Sequence, residues 1–234
     1  MCGRYSLTDC KEKIIFVFGL NQSDIKLKSR YNICPSNNIP VIVKGNNSFV
    51  LELMEWGLIP FWSKVEKPLI NARIETVSEK PSFRKALNKQ RCIIPANGFF
   101  EWRHERSKKQ PYFISLKSQK LFAFAGLWEE WISLEGFKRR TCAILTTKAN
   151  SFMNQIHQRM PVILTQKNFS LWLNFADSAL ENLHSTCPSN KMQAWKVTKE
   201  VNSPTFDNPI CLKKLVEDNT YKKFIQKKQL SLFN

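Results

Sequence analysis

The pentad MCGRY opens the chain and places a thiol on its second residue. Removal of the initiator methionine, which a small second side chain favours, would leave Cys2 with an α-amine and a thiol on adjacent carbons. Their ordinary pKa values, roughly 7.7–8.0 and about 8.5, let both reach the nucleophilic form near neutrality. A 1,2-aminothiol has one distinctive reaction. The amine condenses with an aldehyde to an imine, and the thiol closes on the same carbon to give a five-membered thiazolidine, held by the advantage of proximity. The other reading of Cys2 is an idle neighbour of the start codon, since chain ends are commonly frayed.

Three further polar side chains sit in apolar surroundings. Asn71 heads NARIET after the apolar PLI, Glu101 lies between Phe100 and Trp102 in GFFEW, and His157 precedes a strand-like run in NQIHQRMPVIL. A carboxylate among aromatics tends to hold its proton and suits acid–base work, an imidazole works at the same pH, and an amide can hold an amine or thiol in place. Each could equally be a satisfied core group. His104, in the charged turn RHERSKK, and His184, on a polar helix end, are poorer candidates. Aromatics and guanidiniums interleave near these motifs: Trp56, Pro60 and Trp62 in MEWGLIPFW, Trp102, and Arg4, Arg73, Arg84 and Arg159. Stacking faces beside phosphate-pairing arginines are what single-stranded DNA binding uses. The alternative for Trp56, Trp102 and Trp128 is the core, the preferred reading for Trp128.

Composition narrows the classes. The chain has 234 residues, 43% hydrophobic and 24% charged, a globular balance long enough for a real core. The net charge of +17, from 36 Lys and Arg against 19 Asp and Glu, points to a polyanionic partner, nucleic acid first. An anionic membrane surface is second, and a solubilising charge is the remaining alternative. No apolar run reaches the ~18–20 residues of a membrane span. IIFVFGL at 14–20 follows Asp9 and Glu12 where a signal peptide would be basic, so a cytoplasmic protein, at the nucleoid, is expected. The seven cysteines form no C-x-x-C pair and there are three histidines, so neither zinc, another cofactor nor a disulfide framework is expected. Cys92 and Cys142 lie in the apolar runs RCIIP and TCAIL and read as buried small hydrophobes.

The elements that must position these groups are mostly strands. Residues 8–19 read as a helix capped by Thr8 or Asp9 and ended by Gly19; PSFRKALNKQ (81–90) reads as a short basic helix, and QKNFSLWLN and SALENLHS as two more. IPVIVK (39–44) and SFVLELMEW (48–56) form a hairpin around Gly45-Asn46-Asn47. RCIIP, GFFEWRH, PYFISLK, LFAFAGLWEEW and RRTCAILTT follow as closely spaced strands, then a helical turn at 150–157, the strand MPVIL and a late strand MQAWKVTKEV. Hairpin runs with few helices argue for one α+β domain with a bent, mostly antiparallel, barrel-like sheet and short flanking helices, and against a parallel doubly wound sheet.

The ordered series C-G-R-Y, W-G-L-I-P-x-W, N-A-R-x-E-T, R-C-x-I-P-A-x-G-F-x-E-W, F-A-G-L-W and H-x-R-M-P, over about residues 2–210, resembles the SRAP family of SOS-response-associated peptidases, the abasic-site-processing proteins. That resemblance implies a barrel-like fold with a basic DNA groove and self-attachment to abasic sites, whose ring-opened deoxyribose is an aldehyde. Carried over motif by motif, it makes Cys2 the nucleophile and Asn71 its orienting amide. Glu101 becomes the proton shuttle, and His157 the acid–base group on the sugar hydroxyl. Arg73 and Arg159 would hold flanking phosphates, Trp102 and the W-G-L-I-P loop with Trp56 would stack on or part the bases, and Arg4 and Arg84 are further phosphate contacts. Phe100 stands where the family often has tyrosine, which removes a hydroxyl but leaves the glutamate. Cys34 is a weak rival to Cys2.

Two other functions use the same residues: a cysteine peptidase built on Cys2, restricted or self-processing, for which the charge has no role, and a non-covalent single-strand-binding module, which leaves Cys2 unexplained. The expected organisation is one SRAP domain over 1–212, acting as a monomer, and a basic tail over 213–234. The tail ends in Gln229, Leu230, Ser231, Leu232 and Phe233, a pentad resembling the peptide with which bacterial proteins dock on the replication sliding clamp; an apolar end folding back on the domain is the alternative.

Overall fold

The computed structural model describes residues 2–105, 108–118, 120–174 and 187–215. The expected helix at SALENLHS, His184, and the tail pentad 229–233 lie outside the described residues.

Two sheets carry the fold. The first is antiparallel throughout, in the order β13-β8-β7-β1-β2, from β1 (Tyr5–Leu7), β2 (Arg30–Ile33), β7 (Gly98–Glu105), β8 (Lys108–Leu116) and β13 (Met192–Lys196). The second runs β4-β3-β6-β9-β10, from β3 (Asn38–Lys44), β4 (Phe49–Trp56), β6 (Arg91–Ala96), β9 (Phe122–Ile132) and β10 (Lys138–Lys148). It closes on itself because β10 pairs antiparallel with β9 and, at Thr141 and Cys142, parallel with Glu55 and Trp56 of β4. Closure removes the exposed edges that an open sheet of such apolar strands would offer. Beyond that closure the second half of β10 takes β5 (Asn71–Arg73) as a parallel neighbour and β11 (Arg159–Pro161) as an antiparallel one, while β12 (Ile163–Leu164) pairs with β9. The α+β barrel-like class expected from the hairpin runs is the one found.

Among the described residues the helices are short: α1 (Lys11–Phe18), α2 (Pro81–Lys89) and α3 (Gln166–Leu173). Gly19 ends α1 in the left-handed conformation (φ 62°), as expected. Neither Thr8 nor Asp9 caps it. Cys10 is the cap residue and offers no side-chain bond, because Thr8 and Asp9 are drawn to Asn97 instead. Asn97 Oδ1 accepts from the Thr8 N–H at 2.6 Å, and its Nδ2 donates to Asp9 at 2.7 Å. The turn expected at 150–157 is a single 3-10 turn, Met153–Gln155, and the late strand stops at Lys196, followed by a 3-10 turn over Lys199–Asn202.

Aromatics fill the space between the sheets: the Tyr5 ring meets Trp56 and Phe124 edge-on at 5.5 and 5.9 Å. A smaller apolar cluster, Phe100, Phe113, Val197, Val201 and Cys211, is separate from that core. Gly98 is required where β7 passes the core: a Cβ there would lie 2.2 Å from the Phe113 ring.

Candidate active site

The site is assembled from both sheets. Tyr5 pairs with Phe99 and Ser6 with Gly98, and the Phe100 N–H donates to Arg4 O at 2.9 Å. Continuing that antiparallel register sets Gly3 opposite Glu101, so the start of the chain is delivered to the carboxylate of β7. From the other sheet, β10 brings two groups. Asn71 pairs with Ile144 at the head of β5, and Lys148 pairs with Arg159 at the head of β11, two residues after His157.

Cys2 is fully buried, with its Sγ donating to Arg4 O at 3.8 Å. The Asn71 amide donates from Nδ2 to Cys2 O at 2.9 Å, while its Oδ1 is buried with no hydrogen-bond partner among the described residues. Glu101 is almost completely buried, and that burial pushes its carboxyl above the usual carboxylate range, with the His157 imidazole opposing the shift. His157 Nδ1 lies 4.0 Å from Glu101 Oε1 and accepts the Arg159 backbone N–H at 3.0 Å. Burial, and next the Glu101 charge, push the Cys2 thiol well up, so the sulfur keeps its proton at neutral pH. Glu101, Trp102, His104, Lys109 and His157 line a cavity of about 370 Å³.

The arrangement supplies a nucleophile-bearing residue held by its carbonyl, a spare amide acceptor beside it, a carboxyl biased toward its acid form and an imidazole. That set can protonate a leaving hydroxyl, accept a thiol proton and orient an amine. No group of three His, Cys, Asp or Glu side chains among the described residues could hold a metal ion.

The nucleic-acid candidates divide. Trp102 borders the cavity, its Nε1 donating to Asn202 Oδ1 at 2.7 Å. Arg73 and Arg84 are exposed, as is Trp62 at 54%. Trp56 requires a correction: it is fully buried, with Nε1 donating to Ile70 O at 2.9 Å, and presents no face to a base. Arg4 is also a structural residue here, its guanidinium donating to Asn32 Oδ1, Val201 O and Asn202 O. Arg159 is gripped by both oxygens of Glu75 at 2.6 and 3.0 Å and donates to Thr146 O, so a phosphate would have to compete with that carboxylate.

Cys92, Cys142 and Cys34 are buried; the Cys34 Sγ donates to Asn32 O at 3.4 Å. His104, set aside on sequence, borders the cavity, and Lys109 was not singled out at all. The available signal was period two: His104 is two residues beyond Trp102 and shares its face.

The family described as SOS response associated peptidase (SRAP) matches residues 1–204. The abasic site processing protein YoqW of Bacillus subtilis (strain 168) is 45% identical over 218 residues, covering 89% of this chain and 97% of its own. The abasic site processing protein HMCES of Xenopus tropicalis is 29% identical, covering 82% of this chain and 68% of its own. Among solved structures, a Bacteroides thetaiotaomicron protein matches with a TM-score of 0.83 at 32% identity, covering 92% of this chain and all of the other.

Proposed function

The chain belongs to the SOS response associated peptidase (SRAP) family, and we propose that it is a sensor of abasic sites in single-stranded DNA that attaches itself to the lesion through Cys2. The observation that carries this reading is the meeting of Cys2 with Asn71, Glu101 and His157, groups from four separate parts of the chain. The names of its relatives, abasic site processing proteins, support the same substrate.

The chemistry follows from the groups present. Once Met1 is removed, the Cys2 amine attacks the aldehyde carbon of the ring-opened deoxyribose, and the Asn71 Oδ1, which has no partner among the described residues, accepts one of its N–H bonds. The carbinolamine loses its hydroxyl as water, taking a proton from Glu101, which burial biases toward the acid form. An imine results. The thiol then adds across C=N: the S–H bond breaks, an S–C bond forms, the nitrogen gains a proton and Glu101 relays the transfer. His157 exchanges a proton with the sugar hydroxyl during ring opening. One water leaves in total, and the product is a thiazolidine that shields the lesion during replication. The protein acts as a monomer over the domain 1–212, and the tail 213–234 serves as its tether to the sliding clamp.

The order matters. A thiol held protonated by its surroundings is a poor first nucleophile, so the amine leads and the thiol closes the ring with base assistance. The same property weighs against the peptidase alternative, which needs a thiolate from the outset.

The test is a denaturing gel of protein mixed with single-stranded oligonucleotides, intact or bearing one abasic site. A heat-resistant shifted band should form with the abasic strand alone and vanish in Cys2→Ala. Cys2→Ser keeps the amine and should give an adduct that heat removes. A band of equal strength in Cys2→Ala, or retention of Met1 in the reactive protein by intact mass, would overturn the proposal.

A further inference from the structure

We propose that His104 and Lys109 form a phosphodiester subsite that holds the DNA backbone next to the sugar captured by Cys2. The inference rests on the function proposed above and extends it to residues that no motif of the chain points to. Both side chains border the cavity that contains Glu101 and His157. They are direct cross-strand partners on the β7–β8 hairpin, and Trp102 pairs with Pro111 one step nearer the core. Partners and residues two apart share a face of a sheet, so Trp102, His104 and Lys109 form one surface. At ~3.4 Å per residue, His104 lies about 10 Å along the strand from Glu101, and alternation turns the two side chains to opposite faces, so the cavity that both border reaches from one face of β7 to the other with the pair at its outer end.

The opposite face of the hairpin holds that surface still. Glu105 accepts the Tyr112 hydroxyl at 2.9 Å and pairs with Lys196 at 3.3 Å, and Gln110 donates to Val197 O at 2.9 Å. The Glu105 carboxylate is thereby turned away and already paired. His104 and Lys109 are both exposed and make no hydrogen bond or ion pair with any described residue. The contrast is with Arg4 and Arg159, whose guanidiniums are committed to protein acceptors. A phosphate oxygen at the mouth of the cavity would meet an ammonium and an imidazole N–H that no described residue competes for, next to an indole on which a base can stack.

The test measures non-covalent affinity of the full-length protein for an intact single-stranded oligonucleotide between about 50 and 200 mM salt. One phosphate contact contributes about 0.7 to the log–log slope for single strands. Lys109→Ala should make the slope shallower by about 0.7, so the wild type loses about 2.6 times more affinity than the variant across that fourfold range. Lys109→Arg should retain the wild-type slope, His104→Ala should weaken binding about threefold, and Lys44→Ala, on the distant β3–β4 hairpin, should change nothing. With abasic DNA, Lys109→Ala should raise the half-saturating concentration more than it lowers the limiting crosslinking rate. An unchanged slope in Lys109→Ala, or an equal change in Lys44→Ala, overturns the subsite. Failure of the wild type to crosslink would instead sink the function proposed above, while the slope on intact DNA still reads the subsite.

Discussion

Replacing Glu101 by Gln separates chemistry from stability with opposite signs. Gln keeps the shape of the side chain but can neither give up nor take a proton. Positioned acid–base groups supply about 10²–10⁴ in rate. The low end applies here, because a cavity of about 370 Å³ admits water that can carry part of the proton traffic. A hundredfold slower single-turnover crosslinking rate is expected, about 2.7 kcal/mol in activation free energy. The pH profile should change as well. The wild-type rate rises as the Cys2 amine loses its proton and falls as Glu101 loses its own, giving a bell, whereas Glu101→Gln should keep only the rising limb. Stability should move the other way. A carboxyl raised by burial binds its proton more tightly folded than unfolded, so stability falls as pH rises from the ordinary carboxylate value through the folded one, and the loss persists at neutral pH. Glu101→Gln removes that loss and should melt no lower than the wild type at pH 7, with a flatter dependence through the same window. Rates are read by quenched time points on denaturing gels, and melting by circular dichroism. Crosslinking within threefold of the wild type would refute the proton-shuttle role, and a Tm several degrees lower at pH 7 would refute the account of the burial cost.

The two tryptophans of the MEWGLIPFW segment should behave oppositely. Trp56→Ala empties a fully buried site and should cost about 3–5 kcal/mol of stability by chemical denaturation, whereas Trp62→Ala should melt like the wild type and lose about 1–3 kcal/mol of single-strand affinity in a fluorescence titration. Removing residues 229–234 should abolish retention on immobilised bacterial sliding clamp while leaving crosslinking intact; equal retention of the shortened chain would end the docking role of the tail.

Most strands were legible because they come as hairpins of alternating or wholly apolar residues with polar turns between them, as at 39–56 and 98–116. What closes the barrel, the parallel pairing of β10 with β4, was not, and neither was the strand added beyond that closure. β5 is three residues long, too short for any periodicity, and its parallel pairing with β10 depends on strands far apart in sequence. Trp56 reads as a stacking face because it stands with Trp62 near the arginine motifs, but Met54-Glu55-Trp56 alternates as a strand with its apolar side inward, and that pattern decides. Arg4 was misread for a different reason: its acceptors at Val201 and Asn202 lie almost two hundred residues away, and no local pattern announces them.

The site draws on two independent registers, and its specificity follows from that. Cys2 and Glu101 meet only if β1 and β7 pair as Tyr5 with Phe99, and a slip of one residue would turn Glu101 to the other face of the sheet. Asn71 and His157 arrive only if β10 takes β5 on one side and β11 on the other. The Asn71–Cys2 hydrogen bond ties one assembly to the other at the start of the chain, where a main chain would otherwise fray. On the proposed function, an aminothiol that is ordered only when both sheets are correctly paired is one that only the folded protein presents, alongside the acid assigned to dehydrate the first adduct.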